Sequence, residues 1–272
     1  MIHALTAPWE HSFMVRAFAE VALIGVTGAL LGTWVVLYRL AYSAESLPHA
    51  MLPGLVLAAL VGAPLVIGGA GGLVAAGVCI ALATRAPRTS ADSGIAVVVT
   101  TLLGLGVVLA LSPRSPAGLQ GLLFGDILAA SPLDVALAAG LAVLVLAALA
   151  ALHWRLVAVG VDRPAARTLG VSPLTVDALL LVLLAGAVLV AVQGLGNLLV
   201  VAVLVGPAAS ARHFARTVGP MMGLATLLAV GAGFAGLYVS YYVGVAAGAT
   251  IALAMVVVYL ASMALAAYHR PA

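Results

Sequence analysis

Charged side chains are scarce in this chain. Only 7% of its 272 residues are charged, against about 25% in a soluble globular domain. Hydrophobic residues make up 65%, and the mean hydropathy is +1.29. So few charges could not cover a water-soluble fold, which excludes soluble domains, nucleic-acid binders and disordered regulators. Because the apolar runs are long and unbroken, we predict an all-α polytopic membrane protein.

Lysine is absent, since all eleven basic residues are arginine. A phosphate-binding P-loop needs a lysine, so if ATP drives this protein, a partner supplies the ATPase. The single cysteine, Cys79, excludes an intramolecular disulfide and a thiolate metal cluster. The chain also contains no HExxH and no GxSxG motif. An enzyme is therefore not expected.

Charged residues and glycine-containing breaks divide the chain into nine predicted membrane spans. Four of them lie near residues 21–38, 65–84, 95–111 and 135–152. Breaks near 62–64, 194–197 and 240–242 each divide a long uncharged run into two spans. Nine spans of about 20 residues would use about 180 of the 272. The seventh is short, and if it is a broken or re-entrant helix the count falls to eight.

The arginines predict the orientation of the spans. Nine of the eleven fall on one side of the nine-span arrangement, and only Arg16 and Arg114 fall on the other. Because the arginine-rich side faces the cytoplasm, the N-terminus is expected outside and the C-terminus inside. Residues 1–272 then form a single transmembrane domain with an external loop at 112–132 and a cytoplasmic loop at 153–176.

A short helix is predicted within the cytoplasmic loop. Asp162 can cap its start, Pro164 suits its first turn, and Gly170 ends it. Such a charged helix could be merely solvated, or it could dock a soluble partner. The pattern alone leaves both possibilities open.

One segment pairs a carboxylate with an imidazole. Glu45 and His49 are four residues apart at the start of an apolar span, which puts both on one face of a helix. Nitrogen and oxygen ligands together suit divalent metals such as zinc, manganese or iron, and ionisable groups in a membrane mark transport paths. In the simpler alternative, Glu45 lies at the headgroups and His49 caps a helix that Pro48 starts near Ser46.

Other polar and small residues are weaker evidence of function than Glu45 and His49. Gln193 and Asn197 flank a glycine break and could line the translocation path or form interhelical hydrogen bonds. Glycines four residues apart predict close helix packing, and they occur as Gly28/Gly32, Gly68/Gly72 and Gly244/Gly248.

Four stretches resemble the permease subunits of bacterial zinc, manganese and iron ABC importers. The resemblance runs from about residue 18 to 268, and the stretches are 38–54, 124–134, 166–171, and 196–212 together with 240–250. It implies a fold similar to that of the vitamin B12-type (type II) importers, in the bacterial cytoplasmic membrane. The implied substrate is a divalent metal, zinc or manganese with iron as a further candidate, and no permanently bound cofactor is implied.

The resemblance also implies partners and residue roles. Members pair two permeases, here expected as a homodimer, with two cytoplasmic ATPases and an external metal-binding lipoprotein. Glu45 and His49 would line the metal path. The residues that match the coupling helix, which docks on the ATPase, are Asp162, Arg163, Arg167, Leu169 and Gly170.

Two departures from the family pattern could shift the geometry of the site and its metal preference. Glu45 replaces the usual aspartate, and Pro48 replaces the usual serine.

Two alternative functions remain open. One alternative is an ion-gradient secondary transporter in which Glu45 carries protons. The other is an ABC importer of a bulky chelate, such as a siderophore, with little need for either Glu45 or His49.

Overall fold

The chain folds as a bundle of α-helices. The computed structural model describes residues 6–83, 91–112, 125–197 and 199–268, and no strand occurs within them. Lipid offers no hydrogen-bond partners to the backbone, so apolar runs fold as helices that pair their own N–H and C=O groups. The helices are α1 (Ser12–Leu37), α2 (Ala41–Val61), α3 (Leu65–Ala83), α4 (Ala91–Ala110), α5 (Pro132–Val161), α6 (Arg163–Thr168), α7 (Pro173–Leu195), α8 (Val200–Arg212), α9 (Val218–Val243) and α10 (Ala247–Tyr268).

The described helices correspond to the nine predicted spans and the predicted short helix, which is α6. Seven are long and apolar enough to cross a membrane, while α3 and α8 contain shorter apolar stretches, Leu65–Ile80 and Val200–Arg212. The all-α membrane class is therefore confirmed. Whether the chain crosses the membrane nine or eight times stays a prediction.

The first span begins earlier than predicted. Helix α1 starts at Ser12 rather than near residue 21, because Arg16 does not end the helix. Its Nε donates a hydrogen bond to the carbonyl oxygen of Ala130 at 2.8 Å. A partner distant in sequence thus allows a charged residue to remain inside the helix.

The helices on both sides of the predicted cytoplasmic loop extend into it. Helix α5 continues to Val161, and α7 begins at Pro173. The connection between these two helices therefore spans residues 162–172, and the loop boundaries of 153–176 stay a prediction. Arg155 lies on the exposed surface of α5, with its guanidinium 5.4 Å from the ring centre of Trp154, so it does not interrupt the helix.

The loop predicted to be external is described only in part. Residues 113–124 of the predicted loop 112–132 lie outside the described residues. The remainder contains a 3₁₀ turn, Ile127–Ala129, and then Ser131, which caps α5. The backbone N–H of Ser131 donates to the carboxylate of Asp134 at 2.9 Å, completing a capping box.

Two of the predicted glycine pairs pack helices closely. A methyl group on Gly32 would lie 3.0 Å from the carbonyl carbon of Leu204 in α8, so α1 and α8 touch at their backbones. On Gly72 it would lie 2.8 Å from the carbonyl oxygen of Met51, which brings α3 against α2. The third prediction is wrong for Gly244, which instead ends α9 with φ of 74° and has open space where a Cβ would be.

One end of the bundle brings together the termini of five helices. The hydroxyl of Tyr38, just after α1, donates to the carbonyl oxygen of Leu156 in α5 at 2.7 Å. Arg163 of α6 binds Asp177 near the start of α7. Helix α2 begins at this same end, because only Arg39 and Leu40 follow Tyr38 before it. We call this the α6 end of the bundle.

Candidate metal path and coupling helix

Glu45 and His49 lie one turn apart on α2, close to its α6 end. Helix α2 begins at Ala41, so Glu45 is within the helix and the alternative of a helix start near Ser46 is wrong. The carboxylate is exposed, and the imidazole is half-buried. His49 Nδ1 is shielded from solvent and has no hydrogen-bond partner among the described residues. The pair thus offers a carboxylate and a ring nitrogen without a hydrogen-bond partner, one helical turn apart.

Two prolines interrupt the backbone hydrogen bonding of α2 near this pair. Pro48 and Pro53 lie inside α2, and proline has no backbone N–H to donate to the carbonyl four residues earlier. For Pro53 that carbonyl belongs to His49. The carbonyl oxygen of His49 therefore receives no hydrogen bond from the backbone of residue 53.

One chain provides only part of a metal site. The described residues contain no group of three or more His, Cys, Asp or Glu side chains placed to hold a metal ion. Zinc centres in proteins use at least three protein ligands, and Glu45 with His49 supplies two. A complete site would need ligands from a second copy, from water, or from both.

Gln193 and Asn197 lie away from this pair. Helix α7 starts at the α6 end and rises about 1.5 Å per residue, so its last turn lies at the opposite end of the bundle. Gln193 donates to the carbonyl oxygen of Leu189 in its own helix, at 3.5 Å. Asn197 is 0% exposed, and its amide atoms have no hydrogen-bond partner among the described residues. The structure does not bring these two residues together with Glu45 and His49.

Glu20 is a buried acid that the sequence analysis missed. It is 1% exposed in α1, and its Oε2 has no hydrogen-bond partner among the described residues. Its Oε1 lies 2.7 Å from the place where a methyl group on Gly194 would be. Glu20 therefore faces the break that ends α7. An acid one turn after Arg16 was the available signal, but the predicted first span began just beyond it.

The coupling-helix residues lie together at the α6 end. The carboxylate of Asp162 caps α6, accepting from the backbone N–H of Ala165 at 3.1 Å. Gly170, with φ of 75°, follows the helix. Arg167 is exposed, and Leu169 exposes 67% of its surface. The capping and termination predicted from the sequence are confirmed, and α6 presents a basic and apolar surface to solvent.

Arg163 points back to the protein instead of away from it. It forms a two-pronged ion pair with Asp177, with Nη1–Oδ2 at 2.8 Å and Nη2–Oδ1 at 3.1 Å. The hydrogen bonds that Arg163 donates to Asp177 raise the pKa of Arg163 above its usual range. Burial raises the pKa of the adjacent Tyr38 to about 12, with the Asp177 charge adding to the shift and Arg163 opposing it.

The chain matches the ABC 3 transport family over residues 10–266. The manganese import system permease protein ScaB of Streptococcus gordonii is 30% identical over 261 residues, covering 96% of this chain and 94% of ScaB. The chelated iron transport system membrane protein YfeC of Yersinia pestis is 28% identical over 271 residues, covering 99% of this chain and 92% of YfeC.

The fold also matches a solved structure, PsaBC from Streptococcus pneumoniae in complex with Fab. The TM-score is 0.89 at 27% identity, covering 96% of this chain and 95% of the matched one. The fold and the α6 connection thus define a multi-pass membrane permease of the type II ABC importer class. This class works with a separate ATPase subunit and a substrate-binding partner.

The chain belongs to the ABC 3 transport family. It is a permease subunit and not an enzyme, because the ATP-hydrolysing subunit of an ABC transporter is a separate protein. This membership leaves the ion-gradient alternative without support.

Proposed function

We propose that this permease imports a divalent transition metal ion and that Glu45 and His49 are its ligands on the path. The observation that carries the proposal is their position one turn apart on α2, where Glu45 is exposed and His49 is half-buried. A carboxylate and an imidazole suit manganese, zinc and iron. The names of ScaB and YfeC, which refer to manganese and chelated iron, support the same range of substrates.

Manganese is the ion that we favour within this range. A harder ion prefers oxygen ligands, and Glu45 supplies a carboxylate oxygen. The site should remain weak and partly hydrated, because an ion on a transport path must also leave. No permanently bound cofactor is part of the proposal.

We propose that a second copy completes the site. Helix α2 leaves Leu57 49% exposed two turns beyond His49. A two-fold axis beside this surface would bring two carboxylates and two imidazoles together, as in the symmetric interfaces of most homo-oligomers. A disulfide formed by Leu57→Cys in a Cys79→Ser background would support the homodimer, and failure to cross-link in membranes would oppose it.

We propose that the α6 end faces the cytoplasm, with the N-terminus outside and the C-terminus inside the bacterial cytoplasmic membrane. The arginine bias of the loops supports this orientation. The exposed side of α6, with Asp162, Arg167, Leu169 and Gly170, would then dock on the ATPase. An external metal-binding lipoprotein would deliver the ion at the opposite end. Gln193 and Asn197 remain candidates for lining the path there.

Uptake by the complete transporter tests the proposal. The permease, its ATPase and its binding protein would be placed in proteoliposomes with manganese, zinc or iron, and each ion would be counted inside by mass spectrometry. We expect Glu45→Gln and His49→Ala to reduce uptake strongly, because each removes one of two ligands per chain. The matched controls are Glu10→Gln and His11→Ala, an acid and a histidine exposed at the other end of the bundle.

The outcomes are distinct. Uptake of a free ion that depends on Glu45 and His49 and not on Glu10 and His11 supports the proposed path. Equal uptake by all four variants would refute the assignment of the ligands. Uptake of an iron chelate but of no free ion would favour the chelate importer.

A further inference from the structure

Arg163, Asp177 and Tyr38 form a connected cluster at the α6 end. We call these three residues the inner link. The guanidinium of Arg163 holds both carboxylate oxygens of Asp177, and its central carbon lies 5.6 Å from the ring centre of Tyr38. A planar guanidinium that pairs on two oxygens and lies over a ring has little rotational freedom. One side chain of α6 is thus tied both to α7 and to the residue that ends α1.

Tyr38 is held on its other side as well. Its hydroxyl donates to the carbonyl oxygen of Leu156 at 2.7 Å, and its ring lies beside Gly160, where a methyl group would come within 3.2 Å of Cε1. The ring therefore fills the space between the end of α5 and Arg163. A displacement of α6 relative to the bundle would press on this ring.

A tight turn connects Tyr38 to the helix that carries Glu45 and His49. Arg39 adopts φ of 60°, and Leu40 donates its backbone N–H to the carbonyl oxygen of Val35 at 2.8 Å. Only these two residues separate Tyr38 from α2. Because the turn is closed by a hydrogen bond to α1, it is a short bonded joint and not a long loose linker.

The rest of α6 faces away from the inner link. Ala166 is buried, whereas Arg167 and Leu169 are exposed. We infer that Arg163, Asp177 and Tyr38 transmit the movement of α6 to α2, so that Arg163 is a positioning residue and not a residue that docks on the ATPase. This inference rests on the proposed docking of the ATPase at α6, and it assigns Arg163 a role different from that of Arg167.

The first experiment follows α2 directly and needs no transported substrate. In a Cys79→Ser background, Tyr42→Cys places a single thiol at an exposed position on the first turn of α2. Its rate of maleimide labelling in the permease–ATPase complex would be compared with and without a non-hydrolysable ATP analogue. We expect the nucleotide to change the rate, and we expect Arg163→Gln or Asp177→Asn to abolish that change.

The second experiment separates positioning from docking. We expect Arg163→Gln to retain the ATPase subunit during purification and to lower the substrate moved per ATP hydrolysed by about fivefold or more, the lower range of measured coupling between distant sites. The exchanged pair Arg163→Asp/Asp177→Arg should recover part of the loss. Arg167→Gln should instead weaken retention of the ATPase. Arg155→Gln, in the part of α5 near the α6 end, is the control for loss of a basic charge.

Three results would overturn the inference. Loss of the ATPase from Arg163→Gln would make Arg163 a docking residue. If the nucleotide-dependent change in labelling at Tyr42→Cys persisted without the ion pair, the inner link would stabilise the α6 end only locally and would not transmit the movement of α6 to α2. An exchanged pair that recovers nothing in a complex that still assembles would exclude the ion pair as the cause. None of these depends on which substrate is carried, so failure of the metal proposal would be recognised separately, by uptake in the wild type.

Discussion

Replacing the buried acid Glu20 is expected to stabilise the protein. The side chain is 1% exposed, and its Oε2 has no hydrogen-bond partner among the described residues. An unpaired buried polar atom costs about 1–3 kcal/mol. Methionine has a similar length and no such atom, and it would pack against Ile127, which also contacts this break. Glu20→Met should therefore raise the free energy of unfolding by about 1–3 kcal/mol.

Thermal unfolding in detergent, followed by tryptophan fluorescence, would measure the effect. A change of 1 kcal/mol corresponds to a shift in Tm of about 2–4 °C for a chain of this order of length. Glu20→Gln is the matched variant, because it keeps the shape and an unpaired acceptor and should gain little. Glu10→Met, at an exposed acid, controls for the loss of charge and the added apolar group.

A lower Tm for Glu20→Met than for the wild type would refute this reasoning, since it would show that the carboxyl group makes a favourable interaction. A rise in Tm for Glu20→Gln as large as that for Glu20→Met would also refute the reasoning. The unpaired oxygen would then not be the source of the cost.

Three further effects follow from the packing and the α6 end. Gly32→Ala should destabilise the fold by about 1–3 kcal/mol through overpacking against α8, measured by Tm, whereas Gly140→Ala, with open space at its Cβ position, should not. Burial raises the pKa of Tyr38 from 10.0 to about 12, so the unfolded state loses the phenol proton at lower pH than the folded state does. The free energy of unfolding should therefore fall as the pH rises from 10 to 12. Unfolding curves for Tyr38→Phe should lack that part of the decline. Asp162→Ala should cost the local stability of α6 about 1 kcal/mol, seen as faster hydrogen exchange at the Ala165 amide; unchanged exchange would exclude the cap.

The helical membrane class and most of the helix breaks could be predicted from the sequence. Long apolar runs admit few alternatives in lipid, because the backbone must pair within the helix. The breaks at 62–64 and 194–197 were also predictable. Gly62 and Gly196 occupy positive φ of 70° and 78° there, a conformation that glycine adopts readily.

Residues near the helix ends show why other boundaries were wrong. The predicted first span began just after Glu20 and the fifth ended before Arg155, yet Arg16, Glu20 and Arg155 all lie within helices. Arg16 is accommodated by the carbonyl oxygen of Ala130, a partner 114 positions away. No local pattern reports such a partner, so charge alone misplaced the start of α1 and the end of α5.

The candidate site also combines features that the sequence predicts with features that only the tertiary structure decides. The spacing of Glu45 and His49, the missing lysine and the capping residues of α6 are properties of the sequence, because each follows from local geometry or from the chemistry of one side chain. The burial of Glu20, the separation of Asn197 from Glu45, and the inward turn of Arg163 toward Tyr38 and Asp177 were decided only by the tertiary structure. The reason is physical: which charges a membrane protein buries, and which it leaves exposed, depends on helices that meet in space and are distant along the chain.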